Sequence, residues 1–538
     1  RTWMSKLLRR VVLLCFFHAA TWNCNAFVTN SVSGLRLWSL QRAAACSLTT
    51  LGHRQPASFS RPPTRTSHTL LQLAMNKALA RPNSVKGGGG GGGKRVAIIG
   101  GGIAGLVCGN RLQQLGFEPF VFDTGKRAVG GRVSSRVLSV PTGDTKSEKD
   151  GTKRSGGLQY KVDHSSQFFT ADDIRFLSVV EDLKALGVVR EWTGAVGEIS
   201  SKKFAPLPPN VSKCRDGSTE SQQKLFVGVG GMDAVSKGLA KSLNCEIDCW
   251  VAKVTRLDNG QWRLFRDNAM RRALEPDFDY LVVAHNGKCA ERLMRDAGVP
   301  SLHRLLKCKF GCGAPPRGLM QLSSLWVLVF AVEGSLNLDF EGAFIKDHPD
   351  LSWVADNTRK LRNSVTAPDG GAMHETWTVI SSREYGTRNK VPQEAVPAAM
   401  DAQVLAELTA AFEQATGLPP GAIRPVAHRT QMWGAAVPMN TYSGGECVLD
   451  AEAAAGIAGD WLIDPSIQGA ALSGIAMAEA IVKHKDGHSA DVGLDLNPDQ
   501  SMETVVSPAC GAFPGVPLGD STARVPLPAR GGRGRGGG

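Results

Sequence analysis

The sequence predicts an α/β protein in which a parallel, nucleotide-binding sheet is interrupted by a second domain of mixed α+β structure. Strand-like apolar runs, residues 161–169 and 249–257 among them, alternate with helical patterns between residues 94 and 486. They follow no single repeating rhythm, which favours an interrupted sheet. The first strand-like run, residues 95–100, leads directly into a glycine-rich turn and a helical pattern, the usual start of a nucleotide-binding sheet.

The positive charge of the chain is concentrated at one end. The net charge of the 538 residues is +13, but residues 1–95 hold 14 basic side chains and no acidic one. Residues 96–538 therefore carry 48 basic and 49 acidic side chains, so the part expected to fold is neutral. A neutral fold offers no general basic face, and we expect no nucleic-acid partner.

The acid-free N-terminal stretch has the composition of a targeting leader. Basic residues precede an apolar run at residues 11–17, which is shorter than the roughly 20 residues that a membrane span needs. An Ala26-Phe27 junction, a stretch rich in Ser, Thr and Arg to residue 86, and seven glycines at 87–93 follow. This order resembles the bipartite signal and transit peptide of complex plastids and implies a plastid (chloroplast) location. A simple secretory signal followed by a disordered linker remains the alternative.

The domain boundaries follow from these changes in composition. A stretch rich in Pro, Gly and Ser closes the chain, and its composition predicts no fold. No apolar run is long enough to predict a stable membrane span. We divide the chain into a leader and linker (1–93), a nucleotide-binding domain (94–160, 225–300 and 440–486), a substrate domain (161–224 and 301–439) and a disordered tail (487–538).

Twelve cysteines are scattered without a pattern. Two C-x3-C pairs occur, Cys245/Cys249 and Cys308/Cys312, and zinc sites do use closely spaced cysteine pairs. The first pair lies in a strand-like stretch rather than a turn-rich knuckle. We therefore expect free thiols in a reducing compartment and no metal site.

The strongest motif is the turn between the first strand and the first helix, Gly100-Gly101-Gly102-Ile103-Ala104-Gly105. In such a turn Gly100 permits the tight bend, Gly102 lets the backbone approach a pyrophosphate, and Gly105 allows close packing of helix on strand. Asp123 lies 18 residues after Gly105, at the end of the next strand, where a carboxylate can accept ribose hydroxyls. We expect a Rossmann-type domain that binds a dinucleotide here, with Ile103 and Ala104 at the helix start beside the phosphates.

NAD and FAD share that turn, and a second motif separates them. The chain continues with Gly130-Gly131-Arg132-Val133-Ser134. A glycine pair followed by Arg and Ser resembles the second phosphate-contacting motif of the amine-oxidase-like flavoproteins. The resemblance implies FAD, with Gly130 and Gly131 near the phosphates and Arg132 in a charge-assisted contact.

A third motif near the end of the fold resembles the closing motif of the same superfamily. It consists of Gly459-Asp460 after a strand, then Gly469-Ala470 at a helix start. By the resemblance, Asp460 meets the ribityl chain, and the helix N-terminus lies at the flavin ring, where its dipole favours negative charge. The run 443–447 includes a Cys but differs from the covalent flavin-linking motif, so FAD is expected to be non-covalent.

Within that superfamily the chain resembles the renalase-like NAD(P)/FAD-dependent oxidoreductases. The stretches that carry the resemblance are residues 162–176, 227–240, 351–357, 375–377 and 427–433. It implies that Ser166 and Gln167 lie near the isoalloxazine ring and that Val251 contacts the adenine through its backbone.

Catalytic groups are few. Amine oxidases proper carry a lysine on a substrate-domain strand, and the corresponding run, residues 325–329, has none. Candidates are His164 and Gln167 beside the expected ring and Trp433 as a pocket wall, although Trp433 fits a core position equally well. His428 is a weaker candidate. Flavin oxidation needs little acid–base help, so a missing base does not argue against an enzyme.

The resemblance implies an FAD-dependent oxidoreductase that oxidises a small reduced substrate, dihydronicotinamide-like or amine, by hydride transfer, with O2 as acceptor. One alternative is a plastid desaturase or oxidase for carotenoids or tetrapyrroles, whose relatives share the three motifs. Another is a non-catalytic flavin-binding or chaperone-like relative. The sequence leaves the substrate and the oligomeric state open.

Overall fold

The computed structural model describes residues 93–141, 157–207, 211–213, 220–222, 224–285, 287–310, 320–362, 374–442, 444–488, 490–494 and 502–504. All of them belong to one compact unit of the chain, Arg81–Gly538. The predicted leader and nearly all of its glycine linker, residues 1–92, lie outside the described residues.

The described strands, in chain order, are β1 Arg95–Ile99, β2 Glu118–Phe122, β3 Ser135–Pro141, β4 Gly157–Asp163, β5 Val189–Glu191, β6 Val196–Ser200, β7 Lys203–Pro206, β8 Val211–Lys213, β9 Glu220–Gln222, β10 Phe226–Gly228, β11 Asn244–Glu246, β12 Lys253–Arg256, β13 Trp262–Phe265, β14 Ala273–Phe278, β15 Tyr280–Val283, β16 Leu325–Glu333, β17 Gly342–Ile345, β18 Leu351–Asp356, β19 His374–Ser381, β20 Pro425–Trp433, β21 Asn440–Tyr442, β22 Val448–Asp450, β23 Ala455–Ile457 and β24 Met502–Thr504. The described helices are α1 Ile103–Gln114, α2 Ile174–Ala185, α3 Asp233–Ala240, α4 Gly287–Arg295, α5 Pro300–Phe310, α6 Asn357–Leu361, α7 Arg383–Arg388, α8 Ala398–Thr416 and α9 Ile467–Lys485, with a 3-10 turn at Asp460–Leu462.

One sheet has the architecture of a nucleotide-binding domain. Its strand order is β11-β2-β1-β15-β23-β22, and all neighbours are parallel except β22 and β23. Its central strands are apolar on both faces because helices or side chains cover both sides, as parallel sheets require. The unit β1-α1-β2 is the predicted start of the fold, and the sheet confirms the predicted α/β class with a Rossmann-like domain.

A second sheet is mixed, with strand order β20-β16-β19-β18-β17-β6-β7. All its pairs are antiparallel except β6 with β17. The long strand β16 is buried on both faces. Its odd-numbered residues, such as Val327, join the core that contains α1 and α9, while its even-numbered ones, such as Trp326, pack against α8. The two sheets are thus linked through one continuous core.

Part of the predicted tail is folded. Val492 forms a bridge with Leu449, and β24 pairs with β21 in antiparallel register. The Tyr442 hydroxyl donates a hydrogen bond of 2.7 Å to the carbonyl oxygen of Gly493. The prediction of disorder from residue 487 onwards is therefore wrong at these positions. Exposed strand edges offer backbone partners that amino-acid composition does not reveal.

Candidate functional site

The glycine-rich turn has a different geometry at each glycine. Gly100 has a φ of +118°, and a Cβ there would lie 2.8 Å from the carbonyl group of Ala284. A Cβ at Gly105 would lie 2.1 Å from the carbonyl oxygen of Gly100, so helix and strand pack closely. A Cβ at Gly102 would meet nothing within 4 Å. The turn therefore leaves open space beside Gly102, at the N-cap of α1, where backbone N–H groups attract anions.

Asp123 closes this turn from the end of β2. Its carboxylate accepts hydrogen bonds of 2.7 Å from the backbone amides of Gly101 and Gly125. A carboxylate has about four acceptor positions, so two are still available to a ligand. The backbone carbonyl of Asp123 accepts from the amide of Cys249 at 2.9 Å. This bond brings the segment that contains Val251 next to Asp123, as an adenosine site needs.

The paired glycines lie against the glycine-rich turn. The amide of Gly130 donates to the carbonyl oxygen of Gly101 at 2.7 Å, and both paired glycines have positive φ. The nearest atom to a Cβ at Gly131 would be the Cα of Gly102, at 3.8 Å. Ile103, the first residue of α1, is buried behind them. Two motifs that are separate in sequence thus form one surface.

An ion pair joins the second motif to the third. The Arg132 guanidinium lies 2.8 Å from Asp460 Oδ1 and also donates to the carbonyl oxygen of Ala436 at 3.1 Å. Burial on its own lowers the pKa of Arg132, but the charge and hydrogen bond of Asp460 outweigh it, so the pKa is raised. The amide of Gly459 is fixed by the Ser473 hydroxyl at 2.9 Å. Asp460 Oδ2 is buried and has no hydrogen-bond partner among the described atoms.

Helix α9 begins beside this pair. A Cβ at Gly474 would lie 2.3 Å from the carbonyl oxygen of Ala104, so α9 packs tightly on the start of α1. The Ser466 hydroxyl caps α9 by accepting from the amide of Gly469 at 2.8 Å, and its carbonyl accepts from Ala470. The amides of Gly469 and Ala470 are therefore engaged within the helix cap. Their contribution to a ligand is confined to the dipole of the helix.

Residues 164–167 follow β4 and bend back to the second motif. The hydroxyl groups of Ser165 and Ser166 both donate to the carbonyl oxygen of Arg132, the latter at 2.9 Å. Gln167 is 1% exposed, and its side-chain amide donates to the carbonyl oxygens of Asp163 and Ser165 at 3.0 Å. Ser166 thus lies beside Arg132, but the Gln167 side chain is occupied by the protein. We assign Gln167 a structural role.

The side-chain oxygen of Gln167 accepts a hydrogen bond from a lysine that lies outside the three sequence motifs. Lys360 on α6 donates to Gln167 Oε1 at 3.3 Å and forms an ion pair of 2.9 Å with Asp163. Both members of the pair have fully buried side chains, and the ammonium group lies over the ring of Trp192. Burial lowers the pKa of Lys360, and Asp163 offsets this only in part. No local pattern marks Lys360, because its partner is distant in sequence.

His164 is 2% exposed, and its ring centroid lies 5.8 Å from that of Trp433. Its Nδ1 lies 3.1 Å from the carbonyl oxygen of Ser134. Because a carbonyl only accepts, Nδ1 must carry the proton. Burial, together with the charges of Arg136 and Arg429, lowers the pKa of His164 to about 3. The imidazole is therefore neutral, and Nε2, which has no partner among the described atoms, is an acceptor.

The three motifs fit an FAD molecule on two observations. The open space at Gly102 is a cradle that a Cβ would fill, and it lies at a helix N-terminus suited to a diphosphate. The buried Asp460 Oδ2 is an acceptor without a donor, and a ribityl hydroxyl is a donor of the right kind. His428, the weaker catalytic candidate, is bonded to Asp401 of α8 at 3.1 Å and faces away from this site.

A polar cavity of about 330 Å³ lies elsewhere, between α7, α8 and the turn before β18. Its charged groups already have partners. Arg388 pairs with Asp350 at 2.7 Å, and Glu407 accepts from Tyr385 at 2.6 Å. Among the described residues that line the cavity, none has a buried side-chain oxygen or nitrogen without a partner, as Asp460 does at Oδ2.

Within the described part of the chain, no group of His, Cys, Asp and Glu side chains is arranged to hold a metal ion. The described cysteines are free thiols: Cys108, Cys245, Cys249, Cys289, Cys308 and Cys447. None of the helices in the described ranges is both long and apolar enough to cross a membrane.

One family model agrees with the first sheet, and several solved structures are similar at low identity. The model of an NAD(P)-binding Rossmann-like domain matches residues 98–183. A putrescine oxidase triple mutant is similar at 14% identity and a TM-score of 0.45, over 72% of this chain and 98% of that one. Cyclohexylamine oxidase from Brevibacterium oxydans is similar at 14% and 0.46, over 73% and 100%. Reduced UDP-galactopyranose mutase is similar at 11% and 0.47, over 75% and 98%.

Similarity at this level carries no information about the substrate. The class that the fold and the domain match define is an α/β protein with an NAD(P)-binding Rossmann-like domain. Any more specific activity has to be inferred from the residues of this chain.

Proposed function

We propose that this chain is an FAD-dependent oxidoreductase that holds FAD non-covalently and oxidises a small reduced substrate, with O2 as the acceptor. The observation that carries the proposal is the meeting of the three motifs, which leaves Asp460 Oδ2 buried without a donor. An unpaired buried carboxylate oxygen is costly, and a bound hydroxyl group would remove that cost.

Each motif has a role in holding the cofactor. The amides at the start of α1, beside Gly102, would bind the diphosphate, while Asp123 and the backbone near Val251 would bind the adenosine. Asp460 would accept from the ribityl chain, and its ion pair with Arg132 would hold its side chain in place. Such a set of directional bonds holds a ligand without a covalent link.

Bound FAD supplies a hydride acceptor, which is chemistry that side chains lack. The residues of the chain would set the surroundings of that reaction. The N-terminus of α9 favours negative charge near Asp460. His164 and Trp433 lie together and would form one wall of the substrate site. Because His164 stays neutral, it can orient a substrate by accepting a hydrogen bond but does not supply a charge.

The substrate class rests on the renalase-like stretches, which favour a dihydronicotinamide, and on the absence of a lysine from β16. Anaerobic stopped-flow mixing of the full chain, loaded with FAD, tests it. Isomeric dihydronicotinamide dinucleotides should bleach the flavin absorbance faster than monoamines or a carotene. Bleaching by carotene alone would support a desaturase instead. Bound FAD that no donor bleaches would support a non-catalytic role.

Cofactor binding has a simpler test. The purified full chain should show the absorbance of oxidised flavin after reconstitution and should release FAD on acid or heat treatment. Colour that stays with the precipitated protein would contradict the non-covalent proposal. A chain that takes up no flavin would contradict the whole proposal.

We further propose import into plastids, directed by residues 4–86. The support is the order of basic, apolar and hydroxyl-rich segments in the sequence. A fluorescent fusion of this leader should accumulate in plastids, and replacement of Phe27 should stall the fusion on the way. Fluorescence in mitochondria or in the medium would contradict the proposal.

A further inference from the structure

The middle of segment 164–167 is bonded to the second motif. The carbonyl oxygen of Arg132 accepts from the Ser166 amide at 3.1 Å and also from the hydroxyl groups of Ser165 and Ser166. The Arg132 side chain in turn lies 2.8 Å from Asp460 Oδ1. The segment therefore helps to set the backbone from which Arg132 reaches Asp460.

The residue before this segment is bonded to the substrate domain instead. The Asp163 amide donates to Asn357 Oδ1 at 3.0 Å, and the Asp163 carbonyl oxygen accepts from the Thr378 hydroxyl at 2.6 Å. Asp163 Oδ2 lies 2.9 Å from the Lys360 ammonium group. Asn357 and Lys360 belong to α6, and Thr378 belongs to β19. One short stretch of chain is thus fixed to the substrate domain at its start and to the second motif at its centre.

Gln167 connects these two sets of bonds, and the orientation of its amide is determined by its partners. Its Nε2 donates to the carbonyl oxygens of Asp163 and Ser165, both at 3.0 Å, and a carbonyl only accepts. Its Oε1 accepts from Lys360 at 3.3 Å, and an ammonium group only donates. Lys360 therefore fixes the side chain that holds the Ser165 carbonyl.

Lys360 is enclosed by groups of the protein. Its side chain is fully buried, and its ammonium group contacts Asp163 and Gln167 and lies 5.5 Å from the ring centroid of Trp192, whose face attracts a cation. A buried charge is costly unless its partners stay in place, so a shift of any of them is opposed. Lys360 is thus suited to fix the position of other groups rather than to contact a ligand.

We propose that Lys360 is a positioning residue for FAD binding. Through Gln167 it holds segment 164–167 against Arg132, and the ion pair of Arg132 with Asp460 thereby keeps the geometry that FAD needs. The proposal rests on the proposed function in one respect, that FAD binds at the three motifs, and it does not depend on the substrate. Because coupling between two sites is reciprocal, bound FAD must also order α6 around Lys360.

Three variants of the full chain separate this role from a contribution to stability, which alone would leave the Kd of the folded protein unchanged. Lys360→Met removes the donor to Gln167, whereas Gln167→Met removes the connection and leaves the ion pair of Lys360 with Asp163 intact. Each should raise the Kd for FAD, measured by flavin fluorescence without denaturant, about tenfold. The double variant should raise it no further, because both changes break the same chain of contacts.

Lys346→Met is the matched control, because Lys346 pairs with Glu198 at 2.8 Å within the second sheet. It should leave the Kd for FAD unchanged. A Kd that rises in Gln167→Met but not in Lys360→Met would show that Gln167 contacts FAD itself, and this would overturn the proposal. Additive effects in the double variant would overturn it too, because Lys360 would then act by another route.

Hydrogen exchange measures the reverse direction and does not require Lys360→Met to fold. Loading the native full chain with FAD should slow amide exchange in α6 about fivefold or more, and loading Gln167→Met should not. Equal protection of α6 in both proteins, or no protection in either, would overturn the positioning role. FAD that protects α6 but that no reductant bleaches would support this role and contradict the proposed oxidoreductase. Bleaching without protection of α6 would overturn the positioning role alone.

Discussion

Two ion pairs of nearly equal length flank residues 164–167, but they differ in the burial of the basic side chain and in the elements that they connect. Arg132 and Asp460 lie 2.8 Å apart, with the arginine side chain 29% exposed. Lys360 and Asp163 lie 2.9 Å apart, and neither side chain is exposed at all. The first pair joins the second motif to the third. The second joins β4 to α6 of the substrate domain.

The two aspartates also differ in how their oxygens are used. Asp163 Oδ1 accepts from the Ser135 hydroxyl and from the amide of Met232 at 2.8 Å, while Oδ2 lies against Lys360. Asp460 has one oxygen on Arg132 and one without a donor. Both Oδ2 atoms are buried without a hydrogen bond, but that of Asp163 lies 2.9 Å from the Lys360 ammonium group, so the Oδ2 of Asp460 is the one better suited to a ligand. Distance alone would not separate the two.

The largest expected effect is on the structural pair. Lys360→Met leaves Asp163 buried without its counter-ion, and loss of one partner of a buried pair costs about 3–5 kcal/mol. We expect the free energy of unfolding of the full chain, measured in urea, to fall by that amount.

Lys184→Met is the matched control, because Lys184 pairs with Glu181 on the exposed surface of α2. It should change stability by less than about 1 kcal/mol. A loss from Lys360→Met as small as that of the control would show that water reaches Asp163.

Asp460→Asn should act on the cofactor rather than on the fold. The variant keeps the shape of the side chain but loses the charge, and a charge-assisted bond contributes about 1.5–3 kcal/mol. We expect the Kd for FAD, measured by flavin fluorescence, to rise about ten- to a hundredfold. Asp267→Asn, which alters a surface pair with Arg272, should leave the Kd unchanged. An equal effect of both variants would show that Asp460 does not meet the cofactor.

The contrast also shows what the sequence predicts well. The unit β1-α1-β2 follows from local signals, because the hydrophobic periodicity and the glycines at 100–105 depend only on residues that are neighbours in sequence. The nine-residue strand β16 follows likewise from a continuous apolar run. These elements need no knowledge of distant partners.

Two predicted strands are shorter in the structure, because residues that are distant in sequence bond to part of each run. The run 161–169 predicts a strand, but β4 ends at Asp163 because the hydroxyl groups that follow bond to the Arg132 carbonyl. The run 249–257 also predicts a strand, yet only Lys253–Arg256 is one, because the Cys249 amide donates to Asp123. In both places the chain forms hydrogen bonds with a residue of another motif instead of with a neighbouring strand.

The candidate site divides in the same way. Its glycines, Asp123, Arg132 and Asp460 belong to motifs and can be predicted from the sequence. Lys360 cannot, because nothing near it in sequence shows that it pairs with Asp163. Pairing of charges is a property of the folded chain.

A smaller effect is expected from His164, and it depends on pH. Its pKa is about 3 in the folded chain and about 6.5 when unfolded, so the unfolded state binds more protons between these values. Stability must therefore fall as the pH drops below about 6.5, with a contribution of roughly 2 kcal/mol by pH 5.

His164→Asn should flatten this part of the profile of unfolding free energy against pH, whatever its effect at pH 8. His488→Asn, at an exposed position after α9, should retain the slope of the native chain. If His164→Asn and the native chain lose stability in parallel between pH 6.5 and pH 5, the histidine is not buried in its neutral form.

The smallest effect is expected at the cap of α9, and it tests the division between structural and ligand-binding groups inside one motif. Ser466→Ala removes the acceptor of the Gly469 amide, and loss of such a cap costs about 1 kcal/mol. The hydroxyl is turned to the helix backbone, so the Kd for FAD should change by no more than about twofold even though Asp460 is six residues away. Urea unfolding and flavin fluorescence on the same protein measure both quantities. If Ser466→Ala lost as much FAD affinity as Asp460→Asn while its stability stayed unchanged, Ser466 would belong to the cofactor site. A residue that only caps the helix cannot weaken ligand binding without also destabilising the helix.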